Sequence, residues 1–403
     1  MPNLIKNKTI LISGASIAGP ALAYWLHHYG FTVTLVEQAP KFREGGYKVD
    51  ARGICIDVLK KMGLYEKIQE KNVHTKTAIF MDDEGAITSE ISADELGMRQ
   101  PQDVELLRGD LSKILYDATR DECEYIFNTS IKSIKLNKDD VEVEFNNNMI
   151  RSFDLVIGAD GIHSNVRSLV FGEESQYSHD FGNYFYAIYS IENYLKLANK
   201  ELFYSIENKQ VNLSSTQAEN NITVIYLFQD KNYAYNYKEV DKQKAVVIKN
   251  YANAKWEVPH LLKEMDKAND FYFDVAKQIH MQQWFKDRVA LIGDAAYSPA
   301  LTSGQGSSVA IVGAYVLAGE LYAAAGDYEK AFTSYQNKMQ KYIKINQEIG
   351  EAVINFILPK PKNIFQQVYD KIKSVLLPKD YTIKQLRKKF YKASNGITLS
   401  QYE

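Results

Sequence analysis

The chain has 403 residues, more than one ordinary hydrophobic core accommodates and a length that suits two interleaved domains with a terminal extension. Its 45% hydrophobic and 24% charged residues are globular composition without a disordered bias, and a formal net charge of −2 gives no bulk electrostatic reason to expect a polyanion partner. Cys55 and Cys123 are too few for a disulfide framework, which fits a reducing, cytoplasmic compartment.

Residues 9–26 carry no charge and follow Lys6 and Lys8, as in a signal peptide or membrane anchor. Gly14, Ser16, Gly19 and Pro20 interrupt that run at places a spanning helix disfavours. Its isoleucine-rich first half and helical second half read instead as a buried strand at 9–13 turning into a helix at 20–29, stopped by Gly30. A second strand at 31–37 ends in Glu37, completing a βαβ unit. A basic loop with Gly45-Gly46 leads to a helix at 56–62 capped by Gly63.

Residues 78–97 read as strand, Asp-Glu-Gly turn and strand, and 106–120 as helix. Strands follow at 125–127, 131–136, 141–145 and 154–158. Between 178 and 277 the chain turns aromatic and alternating, which predicts a mostly antiparallel sheet in a second domain. A buried strand at 289–292 precedes a helical stretch from 307 to about 350, broken by Pro359 and Pro361. A tail helix then carries Ile364, Phe365, Val368, Ile372, Val375 and Leu376 on one stripe.

Three constellations carry chemistry. The first is Gly14-Ala15-Ser16-Ile17-Ala18-Gly19 between strand and helix, with Glu37 placed 23 residues after Gly14. Glycines there allow a tight turn and let the backbone approach a pyrophosphate at the helix N-terminus, while the acid accepts hydrogen bonds from an adenosine ribose. Ser16 stands where a second glycine is usual; it is small, and its hydroxyl can reach a phosphate. The second constellation runs from Asp154 through Asp160-Gly161-Ile162-His163-Ser164 to Arg167. The third is Gly293-Asp294, then Pro299, then Gly304-Gln305-Gly306 opening a long helix. An acid at a strand end can hold ribitol hydroxyls, and a helix N-terminus can stabilise negative charge on a reduced flavin ring.

In this order the three motifs resemble the signature of the aromatic-hydroxylase-type FAD-dependent monooxygenases, over essentially the whole chain. The resemblance implies an α/β fold: a Rossmann-like FAD-binding domain (1–75, 103–177 and 278–350), an inserted antiparallel β-sheet substrate domain (76–102 and 178–277), and a C-terminal helical extension (351–403). It assigns Glu37 and Arg108 to the adenosine and pyrophosphate side of FAD, Asp294 to the ribitol and pyrophosphate region, and Asp160 to the flavin site and the nicotinamide encounter. A narrower similarity joins 45–53, 268–274, 313–320 and 394–399 to the tetracycline destructases, flavin enzymes that oxidise and inactivate tetracycline antibiotics. Some of these carry an extra C-terminal helix over the active-site mouth. Residues 364–377 are a candidate for it, and equally for a plain amphipathic helix sealing the domain seam.

What the resemblance implies is flavin chemistry. NADPH or NADH reduces FAD, O₂ adds to the reduced ring, and one oxygen atom passes to an electron-rich carbon of a tetracycline-like polycyclic aromatic while the other leaves as water. The protein's task is to hold that substrate and exclude water, so no side-chain nucleophile is expected. Asp50, Arg52, Pro299 and the 304–306 backbone are expected beside the ring. Substrate contacts are expected from the aromatic sheet around Tyr184 and Tyr186 and from the strand carrying Ile225 and Tyr226. The seven histidines show no metal-ligand spacing and most read as surface or packing residues. The basic run 384–392 reads as a solvated helix face, and neither nucleic acid nor membrane is expected as a partner. A monomer fits this architecture. A flavin reductase of the same fold, hydroxylation of another phenol or polyketide, and a flavin-binding sequestering protein all stay open. A halogenase is disfavoured, because Trp25, Trp256 and Trp284 are far apart in sequence.

Overall fold

The computed structural model describes residues 5–42, 46–215, 220–357 and 379–402. Gly45 and the stripe at 364–376 lie outside them. A six-stranded sheet runs Phe285–Lys286, Val289–Leu291, Leu155–Gly158, Thr9–Ser13, Thr32–Val36 and Glu124–Ile126 in spatial order, parallel except at the first pair. Ile10, Leu11, Ile12, Leu155, Val156 and Ile157 are fully buried, as continuous apolar runs in a parallel sheet covered on both faces should be. The uncharged run at 9–26 is therefore strand Thr9–Ser13 and helix Ala18–His28 of this core. Helix Gly306–Ala323 is long and apolar enough to cross a bilayer, but 83% of it is buried inside the fold, packed against Ala18–His28.

The aromatic segment forms most of a seven-stranded sheet, ordered Tyr272–Ile279, Ser178–Glu192, Asn221–Gln229, Lys209–Ser214, Lys200–Ile206, Thr77–Met81 and Ile87–Ser92. All its pairings are antiparallel except that between Lys200–Ile206 and Thr77–Met81. One face buries Phe185, Tyr189, Tyr204, Tyr226 and Phe228 beneath helices Val240–Tyr251 and Val258–Met265. The opposite face presents Tyr184, Tyr186 and Ile188. Both faces are apolar, so helices that the aromatic texture did not announce are needed to cover one of them.

Several boundaries differ from the sequence expectation. The helix expected at 106–120 begins at Arg108, because Val104–Leu107 pairs with Lys48–Ala51 as a two-stranded ribbon. Residues 93–96, expected as strand, are a short helix, and Ile150–Phe153 adds a third strand beside Val141–Phe145. The long helical stretch is two helices, Gly306–Ala323 and Tyr328–Ile357, parted at Ala325 and Gly326, which both adopt positive φ. The basic run lies on helix Lys379–Ser394, where Lys384, Lys388, Lys389 and Lys392 face solvent while Phe390 and Ala393 pack with Ile349.

Candidate functional site

The turn after the first strand is built for close backbone approach. Gly14 has φ +104°, and a Cβ there would lie 2.5 Å from the Ala159 carbonyl oxygen; a Cβ on Gly19 would lie 1.9 Å from that of Gly14. Only glycine meets both demands. Glu37 ties the turn to the second strand, its two oxygens accepting from the Ala15 and Ala39 amides at 3.0 and 2.9 Å. Helix Ala18–His28 then starts with no side-chain cap and no acid in its first turn, leaving its N-terminal amides and dipole for an anion. Ser16, the departure from the usual glycine pattern, accepts a hydrogen bond from Arg108 Nη2 at 2.8 Å and lies 3.3 Å from the Ser112 hydroxyl. Its hydroxyl fixes the guanidinium over the turn.

The other strand ends converge here. A Cβ built on Gly293 would touch Ala18 and Ala310, and one on Gly306 would lie 3.9 Å from Asp294 Oδ1. Arg108, Asp294 and Tyr47 lie within electrostatic reach of one another. Helix Gly306–Ala323 also starts without a side-chain cap or acid. Just before it, Gln305 is fully buried with neither amide atom partnered, an orphan that a bound group with donors and acceptors satisfies. The residues present fit a flavin dinucleotide.

Asp160 is engaged within the protein. Its Oδ1 accepts from the Ser164 hydroxyl, and its Oδ2 from the Val166 amide at 3.0 Å and the Ser13 hydroxyl at 3.4 Å. It thus organises the start of helix Asn165–Val170.

Asp50 and Arg52 do come together beside Gly304. Arg52 Nη2 donates to Asp50 Oδ2 at 2.7 Å, and a Cβ on Gly304 would sit 3.7 and 3.8 Å from those two side chains. Arg99, unmarked by any motif, donates to Asp50 Oδ1 at 3.0 Å and pairs with Glu105, which faces Lys48 and, through it, Glu201. Burial alone raises a carboxyl, but Arg52 and Arg99 together hold Asp50 below the usual range. The Phe390 ring of the C-terminal helix lies 5.9 Å from Arg52 Cζ, and Ser394 packs on Gly53.

Tyr184, Tyr186, Ile188 and Leu227 form an apolar cluster with Ala300 and Ile354, joined by Tyr47 and Ile225. The aromatic sheet therefore meets the Pro299–Ala300 loop directly, and Ala300 is held at φ 72°, a conformation an alanine adopts only under constraint. Tyr226 is a correction: strand alternation turns it to the opposite face, where it is fully buried 4.7 Å from the Tyr251 ring. Its neighbour Ile225 faces the cluster.

A second set of residues gathers at this seam. His163 lies between two carboxylates, Nδ1 3.0 Å from Glu174 Oε2 and Nε2 3.1 Å from Asp274 Oδ2. Glu174 also receives Lys277 at 2.5 Å and Arg167 at 3.1 Å, and the fully buried Arg167 donates to the Ala295 carbonyl at 2.9 Å. Tyr272 and Tyr235 donate to Asp274 at 2.9 and 2.8 Å. The nearest signals in the sequence were the motif holding His163 and the 268–274 stretch.

Residues 7–344 match the model of the FAD binding domain family. The chain belongs to that family, and it is an FAD-dependent monooxygenase. This flavoenzyme is 37% identical over 401 residues to a flavin-dependent monooxygenase of Legionella longbeachae, covering 99% of both chains. The crystal structure of the tetracycline destructase Tet(55) superposes with a TM-score of 0.85 at 36% identity, covering 100% of each chain. Klebsiella pneumoniae HpxO, solved with FAD and uric acid, has a TM-score of 0.72 at 19% identity and covers 95% of this chain, a likeness of fold.

Proposed function

We propose that this monooxygenase uses NADPH or NADH and O₂ to oxidise a polycyclic aromatic polyketide of the tetracycline class, in the cytoplasm. FAD supplies the redox chemistry when bound. The observation that carries the substrate side is the seam itself: an aromatic face of Tyr184, Tyr186 and Ile188 closed by Tyr47, Ile225 and Ala300, next to the Asp50–Arg52 pair. The full-length likeness to Tet(55) supports the same substrate class.

In this proposal the 14–19 backbone and the Ala18–His28 N-terminus bind the pyrophosphate, and Ser16 orients Arg108 toward it. Glu37 takes the adenosine ribose with the lone pairs left free by the turn. Asp294 takes the ribitol, and the 304–306 backbone with Gln305 takes the ring edge. Arg52 presents its cation beside the ring, fixed by Asp50 and Arg99. The apolar cluster orients the substrate and keeps water out. The two sheets support a cofactor domain at 1–75, 103–177 and 278–350 and a substrate domain at 76–102 and 178–277. In the C-terminal extension, helix Lys379–Ser394 packs on the Arg52 side of the site.

The test is to add tetracycline and NADPH to the yellow holoenzyme in air and follow both by absorbance and mass. Coupled loss of both, with an oxygen-derived mass change, supports the proposal. NADPH consumption with intact tetracycline removes the substrate assignment, and turnover without oxygen would make the enzyme a reductase.

A further inference from the structure

We propose that His163 is an imidazolium bracket whose proton holds the aromatic sheet against the cofactor half, so that deprotonating it weakens binding of the aromatic substrate. The inference rests on the reading above in placing that substrate on the Tyr186 face.

The geometry forces the charged form. Each ring nitrogen faces a carboxylate oxygen at 3.0 to 3.1 Å. An ionised carboxylate only accepts, and a neutral imidazole has one N–H. Both contacts are hydrogen bonds only when both nitrogens carry protons. Asp274 is fully buried and Glu174 is itself paired with Lys277 and Arg167, so neither oxygen is free to turn away.

The two carboxylates sit on different parts of the fold. Glu174 follows helix Asn165–Val170, which Asp160 caps from the strand-end turn, and Arg167 of that helix reaches the Ala295 carbonyl beside Asp294. Asp274 belongs to the edge strand Tyr272–Ile279, directly opposite Tyr186 in the register. The Tyr272 hydroxyl donates to Asp274, and Tyr186 and Tyr272 are hydrogen-bonded to each other. A bracket at His163 thus bears on Tyr186 through Asp274 and Tyr272.

The groups facing the imidazole come from every element around it. They are Glu174 with Arg167 behind it, Asp274 and Lys277 of the edge strand, the Tyr235 hydroxyl at 3.5 Å, and the Tyr237 ring stacked at 4.6 Å. Burial opposes protonation, and the hydrogen bonds and charges of Asp274 and Glu174 more than offset it, leaving His163 above its ordinary value. A raised value in the folded state means the bracket is fully present below about pH 6.5, the unfolded histidine value, and is lost as pH rises through the folded one. The acid limit comes from its partners: Glu174 is lowered to about 2 and Asp274 is lowered too, so their contribution fades only on strong acidification.

The experiment combines histidine ring NMR of the FAD-loaded enzyme with tetracycline KM, measured through NADPH consumption from pH ~6 to ~9. The expected result is a His163 signal, assigned with His163→Gln, that titrates above the ordinary histidine range, and a wild-type KM that rises about tenfold across that span, the worth of one charge-assisted hydrogen bond. His163→Gln should start at the high KM and stay flat. Titration at or below the ordinary range, or parallel KM profiles in the two proteins, overturns the bracket. If His163→Gln does not fold, Glu174→Gln must move the His163 titration down for the bracket to stand. Should tetracycline be left untouched at every pH, the substrate clause falls, while the NMR arm still decides the bracket.

Discussion

Around the 14–19 turn the groups offered to a ligand are backbone amides, set by glycines whose missing side chains leave room and by a helix start with no cap. Around His163 the work falls to buried and half-buried charged side chains from two stretches far apart in the chain, 163–174 and the strand Tyr272–Ile279. The first design tolerates small changes of side chain away from its glycines, because the donors belong to the main chain. The second tolerates almost none, since removing one member leaves a partner buried and unpaired.

Arg167 should give the largest effect. Arg167→Leu keeps bulk but removes one of the three partners of Glu174 and the side-chain donor to the Ala295 and Ile162 carbonyls, and is expected to cost about 3–5 kcal/mol of stability by denaturant titration. A loss under ~1 kcal/mol would mean that the junction is no more than a solvated ion pair. In the cradle, Gly14→Ala places a Cβ 2.5 Å from the Ala159 oxygen at φ +104°, and is expected to cost about 2 kcal/mol and most of the bound FAD. The flavin-to-protein absorbance ratio reads this directly. Because the damage is local to the turn, the melting transition should fall less than for Arg167→Leu.

The same contrast explains what could be read from residue order. Continuous apolar runs leading to Gly14, Gly158 and Gly293 announced the parallel sheet and its switch from strand to loop, and the spacing of Gly14 and Gly19 announced the tight turn between them. Local rules failed where tertiary pairing decided. Leu106 and Leu107 carry helical pattern, yet the Lys48–Ala51 strand recruits them. Tyr226 shared the aromatic texture of Tyr186, but a difference of register sends it to the other face. The His163 cluster joins positions 163, 174 and 274, a distance no periodicity spans. Arg99, which fixes Asp50 beside Arg52, sits in a loop with no motif at all.

Deleting one hydroxyl on each face of the aromatic sheet sharpens the comparison. Tyr186→Phe removes the bond to Tyr272 on the seam side and is expected to raise tetracycline KM about fivefold, near 1 kcal/mol, with little change in stability. Tyr226→Phe removes only a 3.4 Å contact with the Tyr189 hydroxyl inside the helix-covered core, so KM should not move. Equal KM changes in the two variants would show that the sheet face does not discriminate substrate.

Ser16→Gly should have an effect no larger than that of Tyr186→Phe, and it probes the one place where the cradle relies on a side chain. Glycine restores the usual turn residue and brings the backbone closer to a pyrophosphate, which favours FAD. It also releases Arg108, whose Nη2 is held at 2.8 Å by the Ser16 hydroxyl, and an unheld guanidinium must be ordered when the cofactor binds. The second effect is expected to win by about 1 kcal/mol, raising the FAD dissociation constant roughly fivefold, as read by flavin fluorescence on titrating the apoprotein. If instead Ser16→Gly binds FAD more tightly, Arg108 is held by the protein without Ser16, and the cradle is backbone throughout.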